Sequence, residues 1–241
     1  GHINHGFQYL DPVLGRLPCS YYSTNSGFGL AMRLHPRRLS REPFHFGVLG
    51  LGAGTIAAYA TEKDRVRFYE INPAVIRFAT GPDARFTYVK DSRAQVSVVS
   101  GDARLALERE LAGHQSNRFD VLVMDAFSGD SVPVHLLTVE AFQTYLDHLR
   151  DDQSIIAVNI SNRFLDFASL MAAIARHFGM QMVIVDSRGD PPDRTPSRWC
   201  LFTRDASFVA QPEVQRAAGK LATEPAAVWT DQFSNMFGLL R

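Results

Sequence analysis

Strand-like and helix-like stretches alternate through the middle of this chain, and that alternation constrains the fold more than any single residue. Residues 46–50, 66–70, 96–99, 119–124 and 154–160 are short runs rich in apolar or β-branched side chains. Each precedes a stretch with helical character: 55–61, 73–79, 103–112, 138–149 and 167–178. In the fourth of these Val139, Phe142, Tyr145, Leu146 and Leu149 fall on one face. Pro73 suits the first turn of the second. Five such pairs predict a parallel sheet with helices on both faces. Two further runs, 180–185 and 198–203, have no helix between them and predict an antiparallel edge pair. The segment joining them holds Pro191, Pro192 and Pro196, so it reads as a lid or hairpin loop. Residues 1–45 lie outside this core, with Gln8-Tyr9-Leu10 and Tyr21-Tyr22-Ser23 expected as short strands of a small N-terminal β-extension. The division is then 1–45 for the extension and 46–241 for the core domain, closed by a helical 214–223 and a tail around Trp229.

Composition narrows the function. Lys plus Arg is 25 and Asp plus Glu is 25, a balance that argues against a nucleic-acid groove. Cys19 and Cys200 form no disulfide framework and stand at no metal-ligand spacing with His, so no metal is expected and both read as buried thiols. No apolar run approaches the ~18–20 residues that span a bilayer. The simplest compartment is the cytoplasm. The abrupt start, Gly1-His2-Ile3-Asn4, leads us to expect a piece of a longer protein.

Ligands of an open parallel sheet bind beyond the carboxyl ends of its strands. After the first core strand comes Gly50-Leu51-Gly52-Ala53-Gly54, with Thr55 where a dinucleotide fingerprint would place its third glycine. Glycines there let the backbone approach a ligand and turn sharply. The second strand ends in Glu70, placed to accept the hydroxyls of a ribose. The third leads into Gly101-Asp102, suited to receive an adenine amino group. The fourth ends in Asp125, with Asp130 close behind in Asp125-Ala126-Phe127-Ser128-Gly129-Asp130. Two carboxylates over a sulfonium would hold and deprotonate a cationic amine. Separately each acid reads as a cap or a solvated residue. Together the glycine turn, Glu70 and Asp102 favour S-adenosylmethionine or a close relative over NAD. Seven strands ending in a hairpin resemble class I S-adenosylmethionine-dependent methyltransferase-like domains, an α/β, Rossmann-like architecture.

These motifs, with Glu70-Ile71-Asn72 and Gly101-Asp102-Ala103, resemble the spermidine synthase (polyamine aminopropyltransferase) family. His5-Gly6-Phe7-Gln8 and Tyr21-Tyr22 are similar to that family's segment before the core. Pro133-Val134-His135-Leu136-Leu137-Thr138, Ile160-Ser161-Asn162-Arg163 and Trp229-Thr230-Asp231 resemble its bacterial branch, often fused to membrane-spanning segments. The resemblance implies roles. Gln8 and Tyr22 would line the aminopropyl or methionine side of S-adenosylmethionine or its decarboxylated form. Gly50, Gly52 and Gly54 would cradle it, Glu70 and Ile71 would meet its ribose, and Asp102 and Ala103 its adenine. Asp125 would be the general base, also bordering the donor, with Asp130 helping to bind putrescine or another polyamine. Methylthioadenosine would leave. The family also implies a homodimer.

Two departures bear on the substrates. The family carries an acid inside the glycine loop, opposite the amine of the decarboxylated donor, where this chain has Ala53. Losing that acid removes the electrostatic preference for the decarboxylated donor and the repulsion against the carboxylate of the intact one. After Asp130 the family has a proline, where this chain has Ser131-Val132-Pro133. Aminopropyl transfer and a lyase-type cleavage giving homoserine lactone therefore both stay open, beside a methyltransferase and a non-catalytic sensor. His135 reads as a structural histidine at a helix start or, following the acidic loop, as a contact to an acceptor. Phe127 packs either on the nucleoside or in the core. Phe142, Tyr145, Phe164 and Phe167 read as core, and Arg188, Asp190 and Arg194 as solvent-exposed.

Overall fold

The computed structural model describes residues 6–126, 132–162, 164–189, 193, 195–220 and 227–239. After two single 3-10 turns come α1 (Gly27–Leu34) and the short α2 (Pro36–Leu39). The core then runs β1 (His45–Leu49), β2 (Arg65–Glu70), α3 (Pro73–Thr80), β3 (Gln95–Ser100), α4 (Ala103–Ala112), β4 (Val121–Met124), α5 (Val139–Asp147), β5 (Ile155–Asn159), α6 (Ala168–His177), β6 (Gln181–Ser187) and β7 (Ser197–Thr203). Two short helices follow, α7 (Ala206–Val209) and α8 (Pro212–Ala217).

The seven strands form one sheet in the order β3-β2-β1-β4-β5-β7-β6. β1 to β5 are mutually parallel, and β7 lies antiparallel between β5 and β6. The predicted antiparallel edge hairpin is present, and its second strand, β7, lies between β5 and β6. β1, β4 and β5 are buried along their whole length, as their predominantly apolar runs require of strands covered on both faces. β3, at the edge, is only partly covered. One face packs Leu107, Phe142, Ile174 and Trp229 over the sheet, and the other packs Phe28, Met32, Phe208 and Val214. Helix starts carry side-chain caps: Asn72 accepts from Ala74, Asp102 from Leu105 and Thr138 from Ala141.

The N-terminal segment departs from the expected β-extension. Ser20–Tyr22 is a 3-10 turn, and residues 8–10 pair with no strand. Ser20 takes a positive φ of 60°, which breaks the extended run, and Leu10 is fully exposed. What the segment builds instead is α1, capped by Ser26, which accepts from Gly29. Phe28 is wholly buried, worth about 1.5–3 kcal/mol for such a side chain. A Cβ at Gly27 would lie 2.5 Å from the Cβ of Trp199, so the helix sits closer to β7 than any larger residue permits. Other differences are local. Residues 55–59 close as a 3-10 turn, the helix expected at 214–223 spans Pro212–Ala217, and Phe164 is exposed. Among the described residues no helix is long and apolar enough to cross a membrane.

Candidate functional site

The carboxyl ends of β1, β2, β3, β4 and β5 bring the predicted residues to one edge of the sheet. Gly50 has φ 98°, Gly52 52° and Gly54 78°, a left-handed path that suits glycine. At Gly50 space as well as conformation requires it, because a Cβ would lie 2.6 Å from the carbonyl oxygen of Asp125. The glycine turn and the loop after β4 are thus in backbone contact. Ala53 is buried beneath Gly6, whose own Cβ would sit 3.1 Å from that of Ala53. The N-terminal segment therefore crosses the turn.

Glu70 ends β2 with its carboxylate clamped to the backbone. Its Oε2 accepts from the Leu51 amide at 3.0 Å and its Oε1 from the Asn72 amide at 2.8 Å. A carboxylate offers about four acceptor positions, so two remain for hydroxyls. Ile71 beside it is exposed, while Ala103, at the first position of α4, is buried. Asp102 caps α4 through Oδ1, 2.9 Å from the Leu105 amide. Its Oδ2 lies 2.9 Å from His135 Nε2. Each oxygen of Asp102 thus already accepts one hydrogen bond, as each oxygen of Glu70 does.

Asp125 follows β4. The Tyr22 hydroxyl donates to its Oδ2, and the Asn159 side-chain amide donates to Oδ1 at 2.7 Å. Burial pushes the Asp125 carboxyl up to about 6, partly offset by those two donors. Burial and the neighbouring Asp125 hold the Tyr22 phenol well above its ordinary range, so it stays a neutral donor. A carboxyl poised near 6 can take and return a proton close to neutral pH.

Asn159 escaped sequence reasoning. It is the last residue of β5, nearly fully buried, and its Oδ1 accepts from the Ser161 amide at 3.0 Å. A polar residue closing the apolar run Ile155-Ile156-Ala157-Val158 was the available signal. Gln8 is placed differently from Tyr22. Its amide nitrogen donates to Gly15 O at 2.7 Å and Thr87 Oγ1 at 3.0 Å, and its oxygen accepts from the Thr87 amide at 2.8 Å. Asp130 and Phe127 lie outside the described residues. Beyond Asn159, a cavity of about 350 Å³ opens between Ser161, Ser187 and Arg198. Arg198 there stands 3.3 Å from Asp186 and 3.6 Å from Asp166.

No family model matches the chain. It is 29% identical over 136 residues to a polyamine aminopropyltransferase of Vibrio vulnificus, a match covering 55% of this chain and 40% of that protein. A probable spermidine synthase from Corynebacterium glutamicum superposes with a TM-score of 0.55 at 20% identity, over 78% of this chain and 68% of that one. The chain is spermidine synthase-like. The fold is shared more widely, since human methyltransferase-like protein 13, solved with S-adenosylhomocysteine, superposes with a TM-score of 0.52 at 18% identity, over 88% of this chain and 96% of that one. The sequence match spans less than half of the Vibrio relative's length. What the spermidine synthase-like chain keeps of the predicted pattern is the series Gly50–Gly54, Glu70, Asp102 and Asp125 at successive strand ends.

Proposed function

We propose that this chain is a transferase that binds S-adenosylmethionine or its decarboxylated form and cleaves its Cγ–S bond. The observation that carries the reading is Asp125, a buried carboxyl raised to about 6 and fixed by Tyr22 and Asn159 beside the glycine turn. The positive-φ glycines leave a surface with no Cβ for a nucleoside to rest on, and Glu70 keeps acceptor positions for its ribose. No metal is needed, because a sulfonium is already a good leaving group.

The step balances as follows. An acceptor ammonium gives a proton to Asp125, its freed lone pair attacks the donor Cγ, and the Cγ–S electrons return to sulfur. The sulfonium becomes the neutral thioether of methylthioadenosine. Positioning supplies most of the acceleration, since both reactants are held rather than met by diffusion. The acceptor we favour is a diamine or polyamine, entering from the cavity beyond Asn159, where Arg198 is offset by Asp186 in the wall and by Asp166 behind it.

Ala53 supports a second reading. With no carboxylate in the glycine turn, the donor's own carboxylate is not repelled. That group could attack Cγ itself, giving homoserine lactone and methylthioadenosine without an acceptor. Product analysis by mass spectrometry tests both, with either donor and with or without putrescine. Methylthioadenosine only with the decarboxylated donor plus putrescine establishes aminopropyl transfer. Methylthioadenosine from intact donor alone establishes the lyase. S-adenosylhomocysteine, formed when a methyl acceptor is supplied, or binding without any turnover, would overturn both.

A further inference from the structure

We propose that His135 gates the purine end of the nucleoside site, occupying the base-accepting oxygen of Asp102 until an adenine amine replaces it. The inference rests on the reading of Asp102 given above. Of the two oxygens of Asp102, Oδ1 is committed to the fold, since it caps α4 through the Leu105 amide. Oδ2 is the one left for a ligand, and His135 Nε2 takes one of its two acceptor positions at 2.9 Å, so an arriving amine competes with the imidazole for the same oxygen.

The surroundings let the ring leave without moving the chain. Arg104 Nη1 donates to the His135 carbonyl at 2.9 Å. That guanidinium is itself fixed by both oxygens of Asp231 and, through Nε, by Glu108 at 2.7 Å. The next turn is closed by Leu136 N donating to Pro133 O at 3.0 Å. The backbone of His135 is thus anchored while its side chain is half exposed. Its ring borders a cavity of about 690 Å³ whose other walls include Leu105, Val134 and Phe233. Rotation about the side-chain torsions would carry the imidazole into that space, and Oδ2 would pass to the purine's 6-amino group. The exchange breaks one hydrogen bond and forms one, so His135 lowers the affinity for adenine nucleosides without changing the site's shape.

Calorimetric titration tests this with 5′-methylthioadenosine and with the analogue whose purine lacks the 6-amino group. The proteins are wild type, His135→Ala and Asp102→Ala, each first checked for native circular dichroism. His135→Ala should bind methylthioadenosine about three- to ten-fold more tightly, the equivalent of one competing hydrogen bond. The gain should vanish with the analogue, a distinction that a general loosening of the loop would not produce. Asp102→Ala should weaken methylthioadenosine and leave the analogue little changed. If Asp102→Ala binds both ligands like wild type, the base is not held there and the underlying reading fails. If Asp102→Ala is impaired as expected but His135→Ala shows equal or weaker binding, the gate alone is overturned.

Discussion

The side-chain amide of Asn159 donates to Oδ1 of Asp125 across neighbouring parallel strands, at 2.7 Å, from the last position of β5. With the Tyr22 hydroxyl on the other oxygen, it lowers the proton affinity that burial raises. Asn159→Ala removes one of the two donors. The acid limb of kcat/KM, expected near pH 6 in the wild type, should move upward in this variant, with rates recovering toward wild type at alkaline pH. A uniform loss at every pH would mean that Asn159 acts only on structure.

Asp125 should cost the protein stability at neutral pH. Its folded value, about 6, lies above the ordinary carboxylate value of 3.8, so the fold favours the protonated form. That preference is fully present below about pH 4 and is lost as pH rises through 6, a change of about 3 kcal/mol. Asp125→Asn should therefore be more stable than wild type at pH 7.5, with the difference closing near pH 4. Urea denaturation at both pH values reads this directly. The same variant should lose transfer while still binding methylthioadenosine, and undiminished turnover would remove Asp125 from the role of base.

Ala53 governs the donor in our reading. Ala53→Asp should raise the ratio of decarboxylated to intact donor use by ten-fold or more, about 1.4 kcal/mol of discrimination. Because position 53 is buried beneath Gly6, the variant should also melt at a lower temperature. Initial rates with the two donors measure the first effect. An unchanged ratio would place the donor's amino end elsewhere.

The contact between α1 and β7 offers a test independent of chemistry. A methyl group at position 27 meets Trp199 at 2.5 Å, so Gly27→Ala should destabilise by about 1–3 kcal/mol through overpacking. Phe28→Ala, at a fully buried position, should cost about 3–5 kcal/mol. Chemical denaturation checks both. Losses under half these values would indicate that α1 is loosely seated.

The strand ends were legible because each is marked by a switch from apolar residues to glycine or acid: Leu49 to Gly50, Tyr69 to Glu70, Met124 to Asp125. The N-terminal segment was not. Tyr21-Tyr22 has the composition of a strand, and only the positive φ of Ser20 and the burial of Tyr22 beside Asp125 make it a turn that delivers a hydroxyl. Gln8 likewise gave no sign that Thr87, far along the chain, would engage its amide. Such long-range pairings leave no local periodicity. Asn159 was hidden for another reason, since one polar residue at the end of an apolar run reads equally well as the start of a loop.

In the proposed reaction, the missing Cβ of Gly50 sets the spacing between two halves of the chemistry. Since the glycine turn rests on the carbonyl of Asp125, backbone rather than side chains fixes how far that residue stands from whatever the turn would cradle. Side-chain substitutions nearby can retune the proton affinity of Asp125 but cannot lengthen or shorten that separation. In the proposed reaction, new acceptor specificity would therefore arise most readily from side chains on the other bank of the cleft, Ser161, Asp186 and Arg198, whose replacement leaves that contact untouched.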